Sequence, residues 1–285
     1  MLSRRTFLGL LLATPFYGCD KANDSNDVKS KTIGIAYALG GKGDQSYNDA
    51  AANALPELAK SFEVKEFSPL MMENFSDALL RLASMKPKII FCVGYVYDSY
   101  VNGLAKQFPD IVFCVLDGNP IGNDNVLGVQ FDVKQSSSLA GVVAADNSKI
   151  GKIGFVGGSD ILPIRPFLEG FTYGAKRYNP AIEVISSYVG AGAEGFTNAT
   201  RGKDLALGLI ESGVDVLFHA AGASGNGVIS AAKEKNIYAI GVDVDQAKLA
   251  PNNILTSVLK KIDTVIIDLA NDFLIHDKRR SGILP

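Results

Sequence analysis

From Lys31 onward the chain alternates short β-branched runs with longer amphipathic ones, and it completes that alternation twice. The pattern predicts strands over 32–38 (TIGIAYA), 63–67, 88–94 (KIIFCVG), 111–117 (IVFCVLD) and 126–131. A second series follows over 152–158, 183–189, 215–221, 238–243 and 254–259. Helices are predicted between them, near 46–60, 75–85, 97–107, 134–147, 164–178, 200–212, 226–236 and 261–275. Strands that are almost continuously apolar are buried on both faces, which implies parallel sheets covered by helices. The expected fold is α/β, with two parallel-sheet βα lobes joined by a hinge. Turn-rich stretches at Gly118-Asn119-Pro120 and Ala250-Pro251-Asn252-Asn253 mark the joins. They suggest a first lobe of residues 31–120 plus 254–285 and a second of 121–253, with a cleft between them.

The N-terminus has a different character. Arg4 and Arg5 precede a short apolar run, Phe7 to Ala13, and Gly18 precedes Cys19. Residues 1–18 fit a signal peptide, and the apolar run is too short for a stable bilayer span. Ser3 to Leu8 resembles a twin-arginine export signal. Gly9 stands where that pattern has Lys, so ordinary Sec export stays open. Phe16-Tyr17-Gly18-Cys19 resembles a lipoprotein processing box, which would make Cys19 a lipid anchor. Asp20 behind it resembles an inner-membrane retention signal. Residues 19–30 are then a lipidated tether, polar and without apolar periodicity. The expected location is outside the cytoplasm, anchored to the cell membrane.

Composition narrows the function classes. With 28 Lys+Arg against 30 Asp+Glu, the basic excess of a nucleic-acid binder is missing, so no nucleic-acid partner is expected. Three cysteines are too few for a disulfide scaffold, and two histidines leave little for a His-rich metal site. Cys92 and Cys114 lie in apolar runs and read as buried free thiols. No cofactor is expected.

In open α/β sheets ligands sit beyond the C-terminal strand ends, so those residues are the candidates. After the first strand comes Gly40-Gly41-Lys42-Gly43-Asp44-Gln45-Ser46-Tyr47-Asn48. It lacks the Lys-Ser/Thr pair of a P-loop. Asp44 or Ser46 either caps the following helix or faces a ligand. Asp117-Gly118 is either a plain turn or a carboxylate in the cleft. Gly190-Ala191-Gly192-Ala193-Glu194-Gly195 spells G-x-G-x-x-G. The acid that should end the next strand is missing, because Asp215 begins it, so a cleft loop presenting Phe196 is favoured over a dinucleotide site. Gly222 to Gly227 opens a helix that could offer backbone N–H donors. Ser224 fails the nucleophile-elbow spacing, and His219 reads as a buried, hydrogen-bonded histidine. Asp243 and Asp245 lack the further oxygen donors of a cation loop. Of Lys260 and Lys261, one could face the cleft, although a solvated helix start is the commoner case.

At these residues the chain resembles the basic membrane protein family of substrate-binding lipoproteins, the purine-nucleoside-receptor group. The resemblance rests on Asp44-Gln45-Ser46-Tyr47-Asn48 and on Phe155 to Gly158 with Gly170 to Lys176. It rests also on Phe196 to Lys203, and on Gly241 to Gln246 with Thr256 to Asp263. It implies a type I periplasmic-binding fold that delivers a nucleoside to an ABC permease, working as a monomer and not as an enzyme. It also implies that the base is sandwiched between Tyr47, where the family has Phe, and Phe196. Asp44 and Asn48 would face the base. Asp117, Asp243 and Lys260 would hold the sugar or base edge, and Gly222 would let backbone approach. Asn198 and Ala199 depart from the family's Asp and Pro. The chain stops soon after its final helix, so a C-terminal strand and one hinge crossing are expected to be missing. A sugar or autoinducer-type ligand on the same fold is the alternative cargo.

Overall fold

Strand β3 (Ile89–Val93) is buried at every position, and its sequence IIFCV has no polar face to offer water. Such a strand must lie inside a sheet with layers on both sides. In the computed structural model, which describes residues 31–285 apart from 121, 279, 281 and 285, it does so. The signal peptide, Cys19 and the tether expected over 1–30 lie outside the described residues. The first sheet runs β11-β5-β4-β3-β1-β2 and the second β10-β9-β8-β6-β7. The first is built from β1 (Thr32–Ala36), β2 (Glu63–Phe67), β3, β4 (Val112–Leu116), β5 (Val126–Val129) and β11 (Gly282–Leu284). The second is built from β6 (Lys152–Gly157), β7 (Glu183–Tyr188), β8 (Val216–Ala220), β9 (Tyr238–Asp243) and β10 (Ile254–Leu259). Every strand pair is parallel. Leaving β11 aside, the two sheets share one order, so β1 to β5 correspond to β6 to β10. The edge strands β2 and β7 expose polar side chains, Glu63 and Glu66 in one and Glu183 and Ser186 in the other, and charge on an edge discourages further pairing.

Nine helices connect the strands among the described residues. They are α1 (Tyr47–Ala52), α2 (Leu55–Leu58), α3 (Asn74–Ser84), α4 (Asp98–Gln107), α5 (Lys134–Asn147), α6 (Arg165–Tyr178), α7 (Ala199–Glu211), α8 (Ser224–Glu234) and α9 (Ile262–Leu274). The single helix expected over 46–60 is two. Pro56 sits at the start of α2, where its missing N–H is harmless, and it would break a continuous helix one turn earlier. Helices α5 and α6 pack unusually close. A Cβ on Gly141 would lie 2.0 Å from the Phe171 carbonyl oxygen, and one on Gly174 would lie 1.8 Å from that of Ser138.

Each sheet carries a core on both faces. In the first lobe one core holds Ile33, Ile35, Phe91 and Cys114, and the other holds Ala36, Ile90, Cys92 and Phe113. Cys92 and Cys114 are therefore buried free thiols on opposite faces of adjacent strands. Phe155, Phe167, Phe171 and Phe218 form the aromatic centre of the second lobe.

Both expected lobe boundaries need correction. Strand β5 lies after the first turn cluster but pairs with β4, so it belongs to the first sheet. Strand β10 lies after the second cluster but pairs with β9, so it belongs to the second. The chain crosses near 130–133 and again at 260–261, each time just past the fifth strand of a lobe. Phe131 packs against the cores of both lobes at the first crossing. Helix α9 returns to the first lobe, burying Ile262, Ile266, Leu269 and Leu274. The C-terminal strand expected to be missing is present, since β11 pairs with β5.

Candidate functional site

The strand ends of the two sheets face one another across a cavity of about 750 Å³, counted out to its mouth. All eight candidate residues, Asp44, Tyr47, Asn48, Asp117, Phe196, Gly222, Asp243 and Lys260, line it.

Asp117 and Asp243 hold corresponding places, one just past β4 and the other ending β9. Both have left-handed backbone, with φ of 57° and 65°. Non-glycine residues seldom accept that conformation, and it turns each carboxylate off its strand into the cavity. Lys260 follows β10 and is 6% exposed, while Lys261 beside it is exposed. Its ammonium pairs with Asp117 at 2.5 Å and lies over the rings of Tyr47, Phe131 and Phe167 at 5.1, 5.0 and 5.6 Å. A cation buried this deeply needs such partners. Asp243 accepts a hydrogen bond from the Ser46 hydroxyl at 2.5 Å. Burial pushes its pKa up to about 6, against the lowering pull of Lys260 and Ser46, with the negative charges of Asp44 and Asp117 pushing further upward.

Asp44 does cap its helix. Its carboxylate accepts the backbone N–H groups of Ser46, Asn48 and Asp49 at 2.9, 2.8 and 3.1 Å. Burial nonetheless raises its pKa. The same side chain faces the cavity, so the two readings of Asp44 are compatible. Asn48 accepts the Ala38 N–H on its Oδ1 at 2.8 Å. A backbone N–H can only donate, so the other end of the amide, Nδ2, is the end left for a ligand, and it can only donate.

Tyr47 comes from the first lobe at the start of α1, with its hydroxyl directed at the Leu116 carbonyl oxygen, 3.4 Å away. Burial, then the charge of Asp117, holds its phenol well above the usual range. Phe196 comes from the second lobe, at the end of a short 3-10 turn over 193–196. Its ring is seated on Gly158, where a Cβ would lie 2.3 Å from Cε1.

The glycine-rich loops at 40–45 and 190–195 offer no free anion cradle. The N–H groups of Gly43 and Gln45 are held by Asp49, and those of Ala191 and Gly192 by Glu194. The Ser224 hydroxyl bridges the Asn198 N–H and the Gly195 carbonyl, a structural role. Asn198 caps α7 by accepting the Arg201 N–H, as the Asp it replaces would. His219 is fully buried and bonded to Gln246, and burial lowers its pKa to about 4. Asp245 merely caps the turn at Ala247.

Sequence reasoning missed the apolar part of the wall. Leu39, Phe75 and Val96 approach from the first lobe, and Ile161, Pro163 and Phe167 from the second. They read as ordinary core residues, and nothing in their spacing marks them as cavity-facing. Tyr95, whose phenol burial and the Glu194 charge push up, also lines the site. It follows β3 after Gly94, and only that place signalled it.

Two parallel βα lobes with a cleft at their strand ends define a type I periplasmic-binding fold. The fold is shared with a sugar transporter protein from Clostridium phytofermentans, 18% identical, at a TM-score of 0.64, covering 89% of this chain and 96% of that one. A solute-binding protein of an ABC transporter system from Aeropyrum pernix K1 matches at a TM-score of 0.82 and 28% identity, over 89% of this chain and 73% of that one. Among curated relatives, Basic membrane protein B of Borrelia garinii subsp. bavariensis is 32% identical over 96% of this chain and 82% of its own length. The family model for PnrA-like ABC transporter substrate-binding proteins matches residues 33–281, and the chain belongs to that family. It is a substrate-binding protein of the ABC transporter type. Among the described residues, no helix is long and apolar enough to cross a membrane.

Proposed function

We propose that this protein captures a purine nucleoside in the cleft and presents it to an ABC permease. The observation that carries the proposal is the pairing of one aromatic side chain from each lobe, Tyr47 and Phe196, on a single cavity whose polar groups sit at the strand ends. A purine is apolar on its faces and polar at its edges. Stacking removes both faces from water, with each stacked face worth about 1–3 kcal/mol in nucleic-acid systems. At the base edge Asn48 can only donate, and Asp44 accepts. That pair matches a purine edge with an acceptor beside an N–H. Asp243 and Asp117 offer carboxylate oxygens to adjacent sugar hydroxyls, and the loss of one such bond in a closed cleft costs roughly 1–3 kcal/mol.

Because the two rings belong to different lobes, the ligand itself ties the lobes together. Binding is thereby converted into a shape that a permease can recognise. Both rings come from one chain, so a monomer suffices, and the role is binding without chemistry. Export through the signal in residues 1–18 and lipid on Cys19 would hold the protein at the membrane surface.

A thermal-shift screen of purine nucleosides against pentoses, hexoses and free bases tests the cargo. Stabilisation by inosine, guanosine or adenosine alone supports it. Stabilisation by a pentose or hexose alone overturns it in favour of a sugar. Release of hypoxanthine from inosine would overturn the binding-only role. Loss of membrane association in Cys19→Ala tests the anchor.

A further inference from the structure

Gln246 ends the Gly241–Gln246 motif, is 2% exposed, and does not line the cavity. Its Oε1 accepts from the Val242 backbone N–H at 2.9 Å and faces His219 Nε2 at 3.0 Å. The Val242 N–H can only donate, which fixes the amide's orientation and puts the histidine proton on Nε2. Gln246 Nε2 is thereby turned outward to the Gln45 carbonyl oxygen, 2.9 Å away in the other lobe. The rest of the motif builds this seat. A Cβ on Gly241 would lie 2.7 Å from Gln246 Oε1, and the Ser257 hydroxyl holds the Gln246 N–H at 3.1 Å.

Two further bridges reach the same short segment. Asn226 Nδ2 donates to the Asp44 carbonyl at 2.9 Å, and the Ser46 hydroxyl donates to Asp243 at 2.5 Å. Gln45 lies between them with φ of 55°, a conformation that a non-glycine residue keeps only under restraint.

We propose that Gln246 is a positioning residue. Held by His219 and the Val242 N–H, it latches the Asp44–Ser46 segment of the first lobe onto the second and so aims Asp44, Tyr47 and Asn48 at the ligand. The latch consists of protein groups alone, so it favours closure before any cargo arrives. Its effect on affinity rests on the cleft being the binding site, as proposed above.

The discriminating variant is Gln246→Glu in the full chain. An ionised carboxylate still accepts from His219 and Val242, whereas its second oxygen cannot donate to the Gln45 carbonyl and repels it, so the bond between lobes is replaced by a repulsion. Asn226→Ala removes the neighbouring bridge from a half-buried helix position and serves if the first variant folds poorly. Small-angle X-ray scattering without ligand is expected to give a larger radius of gyration for each variant than for the wild type, with unchanged far-UV circular dichroism. Calorimetry with inosine is expected to show about tenfold weaker binding, equivalent to ~1.4 kcal/mol. Wild-type scattering from both folded variants would overturn the latch, whatever happens to affinity. A variant that opens while the wild type binds no nucleoside would sustain the latch and defeat the nucleoside reading instead.

Discussion

The carboxylate of Asp243 makes the cleft sensitive to pH in two opposite ways. Burial lifts its pKa from an ordinary value near 3.8 to about 6. A sugar hydroxyl can donate to the ionised form, so binding follows the ionised fraction. With a pKa of about 6 that fraction is roughly ten-elevenths at pH 7 and one-eleventh at pH 5, so affinity falls about tenfold between them. The folded state without ligand responds in the other sense. Its raised pKa means that it holds a proton between about pH 6 and 4 where the unfolded chain does not. The Asp243 contribution to stability therefore improves as pH falls through that window. The full difference is on the order of 3 kcal/mol from the shift of about two units. Asp243→Asn isolates both effects. It should bind nucleoside weakly with little pH dependence, and at pH 7 it should melt at least as high as the wild type, the gap closing near pH 4. Calorimetric titration at pH 7, 6 and 5, with melting curves of both proteins, reads out each sign. Affinity that is flat or rises toward pH 5, or an Asn variant that binds as tightly as the wild type at pH 7, refutes the reasoning.

Other perturbations separate the remaining parts of the site. Tyr47→Ala and Phe196→Ala should each weaken nucleoside binding at least tenfold by calorimetry, in line with about 1–3 kcal/mol per stacked face. Gly158→Val leaves every proposed contact residue intact but displaces the Phe196 ring from its seat. It should reproduce most of the Phe196→Ala loss, and an unchanged Kd would show the ring is not used. Lys260→Met leaves Asp117 buried without its cation. Breaking such a pair costs roughly 3–5 kcal/mol, on the order of 10 °C in Tm, which a melting curve in the absence of ligand will show.

The ten main strands were legible in the sequence because a strand buried on both faces writes its burial into consecutive residues. Asp117, Gly222, Asp243 and Lys260 were legible because a parallel sheet places ligand-facing groups at its strand ends, whereas Asp44, Tyr47, Asn48 and Phe196 lie further along their loops and were marked out by the family resemblance. What the sequence concealed was pairing over long range. Nothing local in VLGV or ILTSVL says which sheet each joins, so β5 and β10 were assigned to the wrong lobes. The three-residue β11 has too short a pattern to read at all. Phe75 and Phe167 look like core residues because each does pack in a core, and only the gap beside them makes them wall. Gln246 was visible as part of a motif, but its role depends on a carbonyl 201 positions away in sequence.

The carboxylates of Asp49 and Glu194 act as resident phosphate mimics. Each fills the amide nest of one glycine-rich loop beside the cleft. A nucleotide entering here would find those nests taken and would meet Asp44, Asp117 and Asp243, with Lys260 as the single lining cation among the described residues. The proposed cargo is thus sorted by charge at the moment of capture. A cell drawing on extracellular nucleotides through this protein would depend on a phosphatase acting first.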